Sequence, residues 1–224
     1  MLASPAAVTL AGLLLAGGCA STSETVLSAQ FEHQAPSGSL AIDHPIGQFS
    51  GPGDFGSARV VPGPAGTSGN WLQVTQAQTS VPPARVRGVV AAERFDGHYL
   101  YTMRMVIPSG SGASVSFQSG TPPNPTSFVT VPLNTGFVFS QDGLPIGRYP
   151  PDAPFSVAVN LTIGANSSAT VTLLGTAHGS VTYTVAPNLN AAARAFVAIE
   201  LDTDPRTARS TFFVNDISMI YNAP

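Results

Sequence analysis

The chain has 224 residues and a net charge of −3; charged residues make up 9% of it and lysine is absent, where globular domains usually carry roughly 25% charge. Phosphate binding needs a dense basic stripe, so this balance argues against a nucleic-acid groove. Hydrophobic content of 43%, set in patterned runs, argues against disorder, and about 200 residues can bury a substantial core in one domain.

The chain opens with an apolar run, Val8 to Leu15, followed by the small residues Ala16, Gly17 and Gly18 and then Cys19, the only cysteine. A membrane-spanning helix needs roughly 20 consecutive apolar residues, more than this run supplies. The arrangement resembles the signal peptide and lipobox of bacterial lipoproteins. The resemblance implies a signal peptide over 1–18, an acylated Cys19 with a short tether over 19–25, and one domain over 26–224. It implies attachment to a membrane through the N-terminal lipid. Ala20 and Ser21 after the cysteine, with no aspartate, resemble lipoproteins sorted to an outer membrane in hosts that have two membranes. The run departs from the usual pattern in having no Lys or Arg between Met1 and Cys19: either the start lies upstream of Met1 or the α-amino group supplies the charge. With Cys19 consumed by lipid, no disulfide forms within one chain, and stability rests on burial and sheet pairing.

From there the pattern is almost wholly of period two, which sets one face of a strand against a core and the other toward water. A strand is predicted around Ala29–Phe31. Residues 36–56, rich in Gly and Pro, read as a surface excursion. Strands follow around Ala58–Val61, Trp71–Gln76 and His98–Ile107, the last with Tyr99, Tyr101, Met103, Met105 and Ile107 on one face. Ala113–Gln118, Phe128–Leu133 and Gly136–Ser140 continue the series. Phe155–Ile163 has a large apolar residue at every odd position, and Gly164–Ser167 reads as the hairpin leading into Ala169–Leu174. Ser180–Val185, Phe196–Leu201 and Phe212–Tyr221 complete the set. Only Asn188–Arg194 could make a turn or two of helix, and it lacks an apolar stripe. Short strands between turn clusters, with no internal repeat, predict an all-β, antiparallel two-sheet sandwich or barrel with little or no helix.

The order of Ala29–Phe31, Ala58–Val61, Gly69–Thr75 and Phe95–Met105, with the closing run Phe212–Tyr221, resembles the concanavalin-like jelly rolls and related carbohydrate-binding modules. Their last strand often ends in an Asp-hydrophobic-Ser-hydrophobic pattern. The resemblance spans most of residues 25–224 and concerns fold, which hosts many functions.

Glu200, Asp202 and Asp204 resemble the Glu-x-Asp-x-Glu strand of laminarinase-like glycoside hydrolases, and period two aligns the three acids. A retaining hydrolase needs two carboxyls roughly 5 Å apart. The last acid is Asp where that family has Glu, and 20 residues follow where the family has many more. The plainer reading is a strand running out into the polar loop 203–209, with a salt bridge or a structural calcium; otherwise no cofactor is expected. Gly51–Gly56 matches G-x-G-x-x-G in letters, but no helix follows to hold a phosphate. His33, His44, His98 and His178 lack ligand spacing, so no metal site is expected, and no G-x-S-x-G elbow is present.

Among the aromatics, Trp71, Tyr99, Tyr101, Tyr149 and Tyr183 could offer flat faces to sugar rings, with Arg104, Arg148 or Asp142 orienting hydroxyls. Core packing accounts for Tyr99 and Tyr101. Trp71, Asp142, Arg148 and Tyr149 are the ligand-binding candidates, and the Pro- and Gly-rich loop 141–152 is the first place to look. Three functions stay open: a lipid-anchored envelope sandwich that binds glycan or another surface polymer without catalysis, an assembly lipoprotein contacting envelope proteins, and a small glycan-active enzyme using Glu200 and Asp202.

Overall fold

In the computed structural model, residues 23–32, 43–46, 48–50, 56–76, 83–94, 96–119, 126–140, 142–164, 168–174, 181–185, 196–204, 207 and 209–224 are described. They form sixteen strands: β1 (Ser23–Gln30), β2 (Asp43–Ile46), β3 (Gln48–Ser50), β4 (Gly56–Pro62), β5 (Asn70–Gln76), β6 (Arg85–Arg94), β7 (Gly97–Val106), β8 (Gly112–Ser119), β9 (Thr126–Asn134), β10 (Phe137–Phe139), β11 (Pro145–Arg148), β12 (Phe155–Ile163), β13 (Ser168–Leu174), β14 (Val181–Val185), β15 (Phe196–Thr203) and β16 (Thr211–Asn222). Among the described residues there is no helix. The signal peptide, Cys19, His33, His178 and the segment Asn188–Arg194 lie outside the described residues, as does all but the last glycine of Gly51–Gly56.

Two antiparallel sheets form the sandwich. One runs β14-β13-β12-β7-β16-β1-β2, with β5 joined to β16 and β4 to β5; the other runs β11-β10-β9-β8-β15-β6-β3. The chain crosses between layers repeatedly, so β15 inserts between β8 and β6 while β16 inserts between β7 and β1.

Alternation places the core as predicted. Phe155, Val157, Val159, Leu161 and Ile163 of β12 are buried, as are Tyr99, Tyr101, Met103 and Met105 of β7. Val115 and Phe117 of β8, Val129, Val131 and Leu133 of β9, and Ile199 and Leu201 of β15 face them from the other sheet. The ring of Tyr101 meets Phe117 edge-on, with centroids 5.3 Å apart, joining the two layers. The other face of the nine-stranded sheet carries Thr102, Ser156, Asn160, Thr162, Thr170 and Thr172, half-buried or exposed.

One core hydroxyl has a poor partner. Tyr101 donates to the thioether of Met103 at 2.9 Å, and a thioether is a weak acceptor; burial raises the phenol's pKa well above its ordinary value. Tyr101→Phe is therefore expected to change stability by less than about 0.5 kcal/mol. A thermal melt showing a loss several times larger would reveal a stronger partner for that oxygen.

Five details differ from the sequence reading, one being that the loop read over 141–152 contains β11, paired with β10. Strand β1 begins at Ser23, paired with Asn222, where a tether was expected. The supposed excursion over 36–56 contains β2, which pairs β1, and β3, which pairs β6. Strand β6 went unpredicted, because Gly88 occupies one of its buried positions between Val86 and Val90 and interrupts the alternation of bulk. Finally, β16 is not one uninterrupted alternation: a bulge between Asn215 and Ser218 moves the buried set from Phe212 and Val214 to Ile217 and Met219. Asp216 takes a φ of 52° there, a conformation that Asp tolerates better than most residues. The buried Asn215 Oδ1 holds the kink by accepting from the backbone N–H of Asp216 at 2.9 Å and of Phe31 at 3.1 Å.

Candidate functional site

The outer face of the seven-stranded sheet is polar, because strand partners directly opposite one another share a face. Its site is built from cross-strand rows. Glu200 lies between Arg87 and Ser116, and Ser116 lies opposite Thr130. In the next row Asp202 lies between Arg85 and Ser114, and Ser114 opposite Pro132.

Period two brings Glu200 and Asp202 together, as expected. Both are buried, and both reach one cation: Arg85 Nε donates to Asp202 Oδ1 at 2.9 Å and lies 3.2 Å from Glu200 Oε1. The Arg85 side chain is half exposed. Burial first and the neighbouring Glu200 next raise the Asp202 carboxyl, against the lowering pull of Arg85, to about 7. One strand position away, Arg87 Nε donates to Gln118 Oε1 at 3.2 Å. The diagonal crosses β15 at Ala198, whose small side chain leaves room for it. Ser116 and Thr130 hydroxyls meet at 3.1 Å.

Asp204 does not join that pair. Its carboxylate accepts from Asn134 Nδ2 at 2.6 Å, and its backbone N–H donates to Gly112 O at 3.1 Å. The contact passes over Gly112, where an added Cβ would sit 2.7 Å from Asp204 Cβ, so the glycine opens the line between the two side chains. Among the described residues no group of three His, Cys, Asp or Glu side chains converges to hold a metal.

The same row continues outward. Asn134 pairs Phe137 across the turn Thr135-Gly136, and Phe137 pairs Arg148. Both turn residues have positive φ, 50° and 80°, the type I′ geometry that matches strand twist. Phe137 and Phe139 are half-buried, with ring centroids 6.3 Å apart. Arg148 is exposed, and its guanidinium lies 4.8 Å from the Phe137 ring centroid.

Of the ligand-binding candidates read from sequence, Arg148 lies on this face and Asp142 is exposed in the turn before β11. Trp71 and Tyr149 are corrected. Trp71 is fully buried in β5; its indole N–H donates to Ser68 O at 3.1 Å, and Arg104 lies 5.2 Å from its ring. Tyr149 is buried against Phe155, with rings stacked 5.1 Å apart. Burial pushes its phenol up to about 12, against a hydrogen bond with the Gly136 backbone that lowers it. Neither ring offers a face to a ligand. His98 is exposed and meets Thr162 Oγ1 at 3.1 Å. Arg85, Arg87, Gln118, Phe137 and Phe139 were missed. The alternation Arg85-Val86-Arg87 was the available signal for the first two.

No family model matches the chain, and no curated protein matches it by sequence. Its structure is similar to that of an endo-β-1,4-glucuronan lyase from the fungus Trichoderma reesei, with TM-score 0.54, 9% identity, and coverage of 85% of this chain and 95% of that one. It is similar to arcelin-5, a lectin-like defence protein from Phaseolus vulgaris, with TM-score 0.55, 12% identity, and coverage of 91% and 100%. It is similar to the alginate lyase Aly36B, with TM-score 0.54, 12% identity, and coverage of 86% and 95%. These likenesses establish the architecture as a concanavalin-like, lectin-type sandwich.

Proposed function

We propose that this chain is a glycan-binding sandwich, held to a cell-envelope membrane by lipid on Cys19, with the polymer lying across the polar face of the seven-stranded sheet. The observation that carries the reading is the set of cross-strand rows on that face, in which Glu200, Asp202, Arg85, Arg87 and Gln118 are held by one another and bordered by Phe137 and Phe139. From β6 to β11 the face spans five inter-strand spacings, about 24 Å, room for several sugar rings. The lectin-like protein and the glucuronan and alginate lyases that share the architecture support a carbohydrate ligand.

The test is polysaccharide retention by the full chain. Ser114→Arg, which plants a bulky cation in the middle of the face, is expected to abolish retention. Asn160→Arg, on the exposed outer face of the other sheet, is expected to leave it intact. Loss in the second variant with retention in the first would overturn the placement. Retention on no polysaccharide, with a co-purifying envelope protein, would favour assembly instead. Lipid attachment is tested by acyl labelling that Cys19→Ser should abolish, and outer-membrane residence in a host with two membranes by separating the two membranes and locating the chain.

A second reading has its own observation: Asp202, raised to about 7 beside Glu200, is a carboxyl able to give and take a proton near neutrality. Glycan turnover lost in Glu200→Gln would promote it.

A further inference from the structure

The Phe137–Arg148 end of the polar face differs from its other end, where Arg85 of β6 is occupied by two carboxylates. On the opposite sheet Arg104 faces Asp216 at 3.5 Å. Arg148 has no carboxylate partner among the described residues; it is exposed, with its guanidinium over the Phe137 ring. A cation–π contact does not use up the guanidinium's five N–H donors, whose fork matches a carboxylate or a sulfate.

The hairpin holding it is fixed. Ser140 N donates to Leu144 O at 2.8 Å, Gly143 N to Ser140 O at 3.0 Å, and Tyr149 N to Gly136 O at 3.0 Å. The buried Tyr149–Phe155 stack anchors the residue next to Arg148, so the cation is displayed from a rigid base.

The same row is held from the sheet side: the Asn134 amide donates its nitrogen to Asp204 at 2.6 Å, which fixes the strand that pairs Phe137.

We infer that this end of the face is a subsite for an anionic sugar residue. Arg148 takes the acidic substituent, and the Phe137 and Phe139 rings take the apolar side of the sugar. The inference rests on the glycan-binding reading and narrows it to acidic polysaccharides. Uronate carboxylates and sulfate esters share the chemistry.

The experiment is affinity electrophoresis or calorimetry of the full chain against a polyuronate, a sulfated glucan, a neutral β-glucan and polyglutamate. The wild type is compared with Arg148→Met, Arg148→Lys and Phe137→Ala. Expected is affinity at least about tenfold higher for an acidic glycan than for the neutral one, weakening with salt. Arg148→Met should erase that margin, Arg148→Lys should restore part of it, and Phe137→Ala should weaken all glycans. The polyuronate and sulfated arms identify which acid is preferred. Equal affinity for neutral and acidic glycans, untouched by Arg148→Met, overturns the subsite and leaves the glycan reading standing. Polyglutamate bound as tightly as the acidic glycans overturns the sugar assignment. Retention of no glycan overturns both.

Discussion

Arg85→Ala is expected to melt roughly 5–10 °C below the parent protein at pH 8 and close to it at pH 4. The guanidinium is the cation that Glu200 and Asp202 share, and both acids are buried. Removing one partner from a buried ion pair costs about 3–5 kcal/mol. Arg85 is half exposed, so water screens part of its charge and a cost of about 2–3 kcal/mol is appropriate. For a domain of this size each kcal/mol moves the melting point by about 2–4 °C.

The pH dependence follows from Asp202. Its folded-state pKa is raised, to about 7 from 3.8, so between those values the folded protein holds a proton that the unfolded chain has released. Stability therefore falls as pH rises through that window and levels off above it. Without Arg85 the fall should continue to higher pH, since nothing then offsets the Glu200 charge, whereas at pH 4 the protonated Asp202 needs little compensation. Adding Asp202→Asn to the Arg85 variant should recover much of the loss at pH 8. A deficit equal at pH 4 and pH 8 would mean that Arg85 acts through packing of its stem and not through its charge.

The second large effect is at the contact between the layers. Phe117→Ala should destabilise by about 4 kcal/mol, the range for deleting a fully buried phenylalanine, and it should lower the melting point by roughly 8–16 °C. Phe117 is wholly buried and meets Tyr101 of the opposite sheet at an interplanar angle of 86°, an edge-to-face geometry that adds to its burial. Phe117→Leu should cost much less, because volume is largely kept. Strand β8 presents Ser116 and Gln118 on either side of Phe117, so the alanine variant should also weaken polysaccharide retention, while the leucine variant retains it. Denaturant melts showing a loss below about 1 kcal/mol for Phe117→Ala would contradict the packing of the two sheets at this point.

The strands with clean alternation were legible residue by residue. Phe155–Ile163 was predicted with the bounds it has, and the burial of its odd positions follows. Where alternation was broken, the reading failed: Gly88 concealed β6, and with it Arg85 and Arg87. The bulge at Asn215-Asp216 changed the buried set of β16 without any change in composition. Trp71 and Tyr149 misled because an aromatic ring in a sequence carries no mark of whether it faces solvent; Tyr149 is turned inward by a single backbone bond to Gly136 and a stack on Phe155.

By itself the sequence determined the all-β class, the inward set of most strands and the shared face of Glu200 and Asp202, because a pleat of period two is a local property of consecutive residues. Only the tertiary structure decided what meets those acids. Arg85 is 117 residues from Asp202 along the chain, and Asn134 reaches Asp204 across Gly112 from 70 residues away. Such register is set by which strands lie side by side and by where bulges shift the count. These are outcomes of packing two whole sheets together, and no short window of residues contains them.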